Sequence, residues 1–170
     1  KVIPVIVNAK TDKISGCNAL DKILIDKNHP HFEEVARKIE SALAKHDIHI
    51  YASDDLMEIL DTKSSISDPS VWREEFLAKK AAMGTVDGLD NAIDFINTYS
   101  GGHSNIILTE STEDASTFME QIDSAAVYHN ASTRFTDGGQ MGVGAELAIS
   151  TDKLHHRGPL GLKQLVTNKY

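Results

Sequence analysis

Cysteine is almost missing from this chain: Cys17 is the only one in 170 residues. That excludes an internal disulfide framework and any zinc module built on several thiolates. A thiol left unpaired fits a reducing compartment, which predicts the cytoplasm. Basic residues are scarce as well, 17 Lys and Arg against 25 Asp and Glu, giving a formal net charge of −8. Nucleic acids and anionic membrane surfaces recruit basic patches, so neither is an expected partner. No apolar window reaches the length of a membrane span, and no segment has the layout of a signal peptide. Internal repeats, low-complexity tracts and linkers are absent too. What remains is ordinary globular composition, 41% hydrophobic and 25% charged. A chain of this length buries roughly 70% of its unfolded surface, needs no staples, and suffices for one domain or at most two small ones. It begins at Lys1 rather than Met, enters an apolar run at once and stops at Lys169-Tyr170. The expectation is a domain from a longer protein.

Apolar spacing outlines alternating strands and helices. Val2 to Val7 reads as a buried strand with Pro4 near its start. Ile23 to Ile25 is a short strand, and 31–45 an amphipathic helix with Phe32, Val35, Ile39, Ala42 and Leu43 on one face. Ile48 to Tyr51 reads as a strand, Leu56 to Leu60 as a helical turn, and the second half of 72–86 as extended. Gly88 to Tyr99 is a helix, Asn105 to Leu108 a strand, and Ser111-Thr112-Glu113-Asp114 opens another helix by capping its first N–H groups. Ala125 to Tyr128 is a further strand, and the glycine-rich stretch 136–144 reads as a long functional loop. Strands alternating with helices predict an α/β fold, three-layer α/β/α with a mostly parallel sheet.

Cys17 lies in Ser15-Gly16-Cys17-Asn18-Ala19-Leu20, where the chain passes from one element to the next. A thiol there is a candidate nucleophile, since a helix N-terminus favours the reactive thiolate. An unpaired cysteine is also often a small buried hydrophobe, and local sequence leaves both readings open.

Three segments, taken in order, carry a resemblance. They are Asn8-Ala9-Lys10-Thr11 with Cys17-Asn18-Ala19-Leu20; Val86 through Ala92, Ile96 and Tyr99 to His103-Ser104; and Asn130-Ala131-Ser132-Thr133-Arg134-Phe135-Thr136-Asp137-Gly138-Gly139, continuing through Gly142-Val143-Gly144-Ala145-Glu146 to His156-Arg157-Gly158-Pro159. Together they resemble the γ-glutamyl phosphate reductases (glutamate-5-semialdehyde dehydrogenases), a branch of the aldehyde dehydrogenase superfamily. The third block is long and highly specific. The resemblance covers essentially the whole chain but only the catalytic domain of such enzymes, with the nucleotide-binding domain and C-terminal tail absent. This chain departs from the family at Asp12-Lys13-Ile14-Ser15-Gly16, where Gln-Arg-Pro-Gly-Val is usual, and at Asn105, where an acid is usual.

The resemblance implies an aldehyde-dehydrogenase-like catalytic domain that works in proline biosynthesis. It implies that the Cys17 thiolate attacks L-glutamate 5-phosphate, expels phosphate and leaves a thioester that hydride from NADPH converts to L-glutamate 5-semialdehyde. Sulfur suits both steps, being nucleophilic near neutral pH and forming an ester that accepts hydride readily. Arg134 is the candidate fork for the substrate carboxylate, because guanidinium binds carboxylates bidentately. Asn130, Ser132 and Thr133 are candidate substrate anchors, Lys10 and His103 weaker phosphate-side candidates, and Glu75 the candidate for a cofactor ribose. The resemblance further implies a homo-oligomer in the full-length enzyme and glutamate 5-kinase as a functional partner. The isolated chain is expected to show no NADPH-dependent turnover.

Other signals carry less. Gly142-Val143-Gly144 is not a dinucleotide fingerprint, lacking the preceding strand and the third glycine. The pairs His29/His31, His46/His49 and His155/His156 have no Cys or acid at ligand spacing, so no metal is expected. Trp72 reads as packing. Two alternative functions stand beside the leading one: an oxidative aldehyde dehydrogenase, which the third block disfavours, and a non-catalytic binding or assembly domain with a structural cysteine. Thiol reactivity separates the last from the others.

Overall fold

The centre of the fold is β3 (Lys80–Val86), flanked in parallel by β1 (Lys22–Asp26) and β2 (His49–Ala52) in the order β1-β3-β2. The computed structural model describes residues 1–153 and 155–170. Pairing runs from Lys22↔Ala82 to Asp26↔Val86 on one side and from His49↔Lys80 to Ala52↔Met83 on the other. Being central, β3 is buried on both faces, and its sequence Ala81-Ala82-Met83-Gly84 is accordingly small or apolar throughout. A second parallel pair, β4 (Ser104–Ile107) with β5 (Ala126–His129), is hydrogen-bonded separately, and β6 (Ala148–Ser150) with β7 (Gly158–Leu160) forms an antiparallel hairpin. The predicted α/β class and parallel pairing hold. The sheet is divided, however, and the β6–β7 hairpin is an element that the apolar spacing does not reveal.

One face of the three-stranded sheet is covered by α1 (Val2–Thr11) and α2 (Phe32–Ala44). Ile6, Ala36, Ile39 and Leu43 meet Ile23, Ile25, Ile50 and Met83 in the main core. Each such aliphatic side chain contributes about 1.5–3 kcal/mol when fully buried. The short α3 (Asp54–Met57) adds Leu56 to the same cluster. Over the opposite face, Trp72 lies so close to Gly84 that a Cβ there would sit 2.8 Å from the indole. Phe95, on α4 (Gly88–Tyr99), meets Trp72 edge-on at 5.0 Å, and Tyr99 follows at 4.6 Å. The sheet therefore has cover on both faces, with Trp72 as packing. A smaller core of Ile93, Phe118 and Ile122 joins α4 and α5 (Thr112–Gln121) to Ile107 and Val127 of the second parallel pair. Ser111 caps α5, its side chain accepting the Asp114 N–H at 3.1 Å.

One expectation fails at the start of the chain. The run Val2–Val7 is not a strand but the body of α1. A short apolar run does not distinguish strand from buried helix by period alone. The deciding pattern continues past it, for Ile6, Ala9 and Lys10 are buried at helical spacing on the face toward the core. Pro4 fits because it sits in the first helical turn, where a missing N–H costs nothing. Packing here outweighs the weak helix propensity of Val and Ile.

Candidate active site around Cys17

Between α1 and β1 the chain runs through a series of turns, with Gly16 N–H bonded to Lys13 O, Ala19 N–H to Gly16 O and Leu20 N–H to Ala9 O, each at 2.9–3.0 Å. Cys17 is at the outside of this loop and is exposed. It is therefore not the buried hydrophobe that local sequence also allowed. Nor does a helix begin at it: the loop follows the C-terminal end of α1 and leads into a strand.

Its neighbour Asn18 is buried. The Asn18 Nδ2 donates to Thr136 O at 2.9 Å, and the Asn18 main-chain carbonyl accepts from Thr133 Oγ1 at 2.6 Å. Asn18 Oδ1 accepts from Arg134 Nη1. Arg134 Nε pairs with Asp12 Oδ2 at 2.9 Å, leaving its Nη2 with no protein partner among the described residues. Thr133, Arg134 and Phe135 form a single 3₁₀ turn that Ser132 caps, its buried hydroxyl accepting the Arg134 N–H. Thr136, fully buried, shares its hydroxyl with Ser104 Oγ at 2.6 Å and Tyr128 OH at 2.9 Å, fixing the turn to β4 and β5. Ser104 Oγ also meets His103 Nδ1 at 2.7 Å.

The other expected site residues fall as follows. Lys10 is fully buried, with Nζ 3.0 Å from Asp21 Oδ1, so it has no surface to offer a substrate phosphate. Its charge is needed inside: Asp21 Oδ2 also accepts the Phe76 N–H at 3.0 Å, tying the segment after Glu75 to β1. His103 is half-buried, and burial pushes its pKa below the ordinary imidazole value against the opposing pull of Glu75 and Glu146. Its Nε2 is buried without a hydrogen-bond partner among the described residues. Burial thus works against the charge that a phosphate cation needs and suits the ring better to donate or accept a hydrogen bond. Asn130 ends β5 in a left-handed conformation (φ 54°), and its amide grips Thr109 both ways, accepting from the N–H and donating to the carbonyl. It stands at the C-terminal ends of both strands of the pair, the edge where α/β folds collect ligand contacts, but its side chain already closes two loops. Glu75 is exposed and makes no hydrogen bond among the described residues. The glycine-rich stretch is closed on itself: Gly138 donates to Glu146 Oε2 at 2.7 Å, and a Cβ there would meet Gly144 O at 2.6 Å. Asn105, where the family carries an acid, donates from Nδ2 to the Ser100 and Ser124 hydroxyls.

The structure thus gathers Cys17, Ser132, Thr133 and Arg134 at one place and links His103 to it through Ser104 and Thr136. Asn18 and Thr136, the residues that do the gathering, escaped the sequence reading. Their position inside the recognisable motifs was the available signal.

Comparison with known proteins finds relatives along the whole of this chain. No family model matches the chain. γ-Glutamyl phosphate reductase 2 of Bacillus licheniformis is 42% identical over 170 residues, all of this chain and 40% of the relative. The crystal structure of γ-glutamyl phosphate reductase from Thermotoga maritima superposes with a TM-score of 0.90 at 43% identity, over 99% of this chain and 40% of that one. This chain is homologous to the γ-glutamyl phosphate reductases. It spans about 40% of the length of these reductases. Aldehyde dehydrogenase 21 from Physcomitrella patens, 12% identical over 76% of this chain and 34% of its own, shares the fold with a TM-score of 0.55. The α/β fold is thus the aldehyde dehydrogenase fold. Among the described residues no group of three His, Cys, Asp or Glu is placed to hold a metal ion, and no helix is long and apolar enough to cross a membrane.

Proposed function

We propose that this chain supplies the reacting thiol and the substrate-anchoring turn of a γ-glutamyl phosphate reductase. The observation that carries the reading is an exposed Cys17 whose neighbour Asn18 is bonded to Thr133, Arg134 and Thr136, in a chain matched along all of its 170 residues by such a reductase.

In this reading the Cys17 thiolate attacks the acyl carbon of L-glutamate 5-phosphate. The C–O bond to phosphate breaks, phosphate leaves with the electron pair, and the glutamyl group stays on sulfur as a thioester. Phosphate is a good leaving group, so acylation needs no general base bonded to the sulfur. Arg134 takes the substrate carboxylate with the donors left on Nη2, charge-assisted hydrogen bonds being about twice as strong as neutral ones. Ser132 and Thr133 hold the turn that presents Arg134, and Asn130 closes the loops at the neighbouring strand ends. His103, whose cation burial disfavours, supplies a hydrogen bond. Glu75, exposed and free of hydrogen bonds among the described residues, fits a pair of ribose hydroxyls and would hold NADPH there. NADPH, when bound, supplies the hydride that reduces the thioester to L-glutamate 5-semialdehyde. The nucleotide-binding part then lies in the longer protein, where a homo-oligomer forms and glutamate 5-kinase acts as the source of substrate. The compartment is the cytoplasm.

The test is direct. Acetyl phosphate, a general acyl phosphate, should add one acetyl group to Cys17, seen by intact mass and peptide mapping and absent from Cys17→Ser. A phosphonate analogue of L-glutamate 5-phosphate should protect Cys17 from iodoacetamide. No acylation, together with unimpeded alkylation at saturating analogue, refutes the reading.

A further inference from the structure

Cys17 stands on an exposed loop, yet the residues on either side of it are unusually constrained. The loop leaves α1 at Asp12 and returns toward β1 through Asn18, and Arg134 touches both ends: Nε on Asp12 at 2.9 Å and Nη1 on Asn18 Oδ1. One guanidinium therefore closes the loop at its base. Gly16 makes room for this, because a Cβ at that position would lie 3.0 Å from Arg134 Nη1 and 3.1 Å from Asn18 Oδ1. Both are tighter than ordinary packing allows.

Asn18 contributes three bonds, all to residues 133–136 and all across more than 110 positions of sequence. The chemistry selects an amide. The side chain must donate to a carbonyl (Thr136 O) and accept from a cation (Arg134) at once. An ionised aspartate lacks the donor, and an aliphatic residue lacks both. Beyond the clamp, the Thr136 hydroxyl is bonded to Ser104 and Tyr128, so the anchor is itself fastened to β4 and β5.

We infer that Asn18 is a positioning residue for Cys17, which together with Thr133 and Arg134 clamps the thiol loop to the Ser132–Thr136 turn and so fixes the sulfur relative to the substrate-anchoring residues. The inference rests on the proposed role of Cys17 as nucleophile. It assigns to Arg134 a second task, cinching the loop, beside any contact with substrate. A small displacement of a reacting atom costs up to about a hundredfold in rate, whereas alkylation of a free thiolate has no comparable geometric demand.

The experiment compares acylation of Cys17 by acetyl phosphate with alkylation by iodoacetamide in the parent chain, Asn18→Ala, Asn18→Asp, Thr133→Val and Thr133→Ser. Acylation should fall about tenfold or more in the first three variants, with alkylation within about threefold of the parent. Thr133→Ser, which keeps the hydroxyl, should acylate like the parent. Parental acylation in Asn18→Ala and Thr133→Val overturns the inference, as does a parallel fall of alkylation, which would signal lost thiolate rather than lost position. Amide hydrogen exchange tests the clamp independently of the chemistry. Gly16 and Ala19 should exchange faster in Asn18→Ala and Thr133→Val, while β3 amides stay protected. If acetyl phosphate fails to acylate even the parent and the analogue leaves alkylation unimpeded, the nucleophile reading falls, and unchanged exchange at Gly16 and Ala19 in the variants defeats the clamp as well. Should Asn18→Ala also lose β3 protection, the Thr133→Val and Thr133→Ser pair decides.

Discussion

Replacing Asp21 by alanine should damage this protein far more than replacing its partner. Lys10 is 0% exposed, Asp21 18%, and their charges lie 3.0 Å apart. Removing the carboxylate strands an ammonium in the interior, and breaking a buried pair from one side costs about 3–5 kcal/mol. Lys10→Met removes the charge while keeping most of the volume. The Asp21 it leaves behind still accepts the Phe76 N–H at 3.0 Å and reaches solvent, so the expected cost is about 1 kcal/mol. Urea unfolding followed by circular dichroism measures both. For a domain of this size each kcal/mol moves the thermal midpoint by about 2–4 °C, so Asp21→Ala should melt about 6–20 °C below the parent. A loss of under about 1 kcal/mol in Asp21→Ala, or a larger loss in Lys10→Met, would refute the assignment of Lys10 to a buried structural pair.

Other perturbations probe separate parts. Ser111→Ala removes the cap of α5 and should cost about 1 kcal/mol by urea unfolding, with no change in Cys17 alkylation. Gly84→Ala pushes a methyl group to 2.8 Å from the Trp72 indole and should cost about 1–3 kcal/mol; Trp72 is the only tryptophan, so an unshifted emission spectrum would show that the ring does not cover β3. His103 has a native pKa below 6.5 because burial disfavours its cation. The unfolded chain therefore takes up the proton first as pH falls, and stability declines from about pH 7 through 6.5 toward the native value. His103→Gln should lose less stability than the parent between pH 7.5 and 5.5, and an equal loss in both would contradict the burial.

The parts of the fold legible in the sequence were those with a sustained period. In α2, the pattern Phe32, Val35, Ile39, Ala42, Leu43 gives the helix and its inward side, to which the structure adds the buried Ala36, and the strands around it follow from alternation and punctuation. α1 was misread because its six apolar residues satisfy both periods, and the arbiter was a lysine. Lys10 reads as a phosphate-side candidate until Asp21, eleven residues on, is seen to receive it in the core. Pairings of this kind are tertiary and leave no local trace. The β6–β7 hairpin was hidden for a similar reason, with three residues in each strand and Pro159 in one of them. At the site, the motif containing Cys17 and the one containing Arg134 were each visible. That Asn18 would stitch them together across 115 to 118 positions was not.

Among the described residues the two hydrophobic clusters differ greatly in size, thirteen buried residues around the three-stranded sheet against three beneath β4 and β5. The loop that carries Cys17 springs from α1 and β1 on the larger cluster but is moored, through Asn18, to the turn that β4 and β5 hold on the smaller. Gentle warming that loosens the smaller cluster should thus weaken the acylation proposed for Cys17 before the three-stranded sheet melts, so that heat resistance of that step depends on Ile93, Phe118 and Ile122, residues with no chemistry of their own.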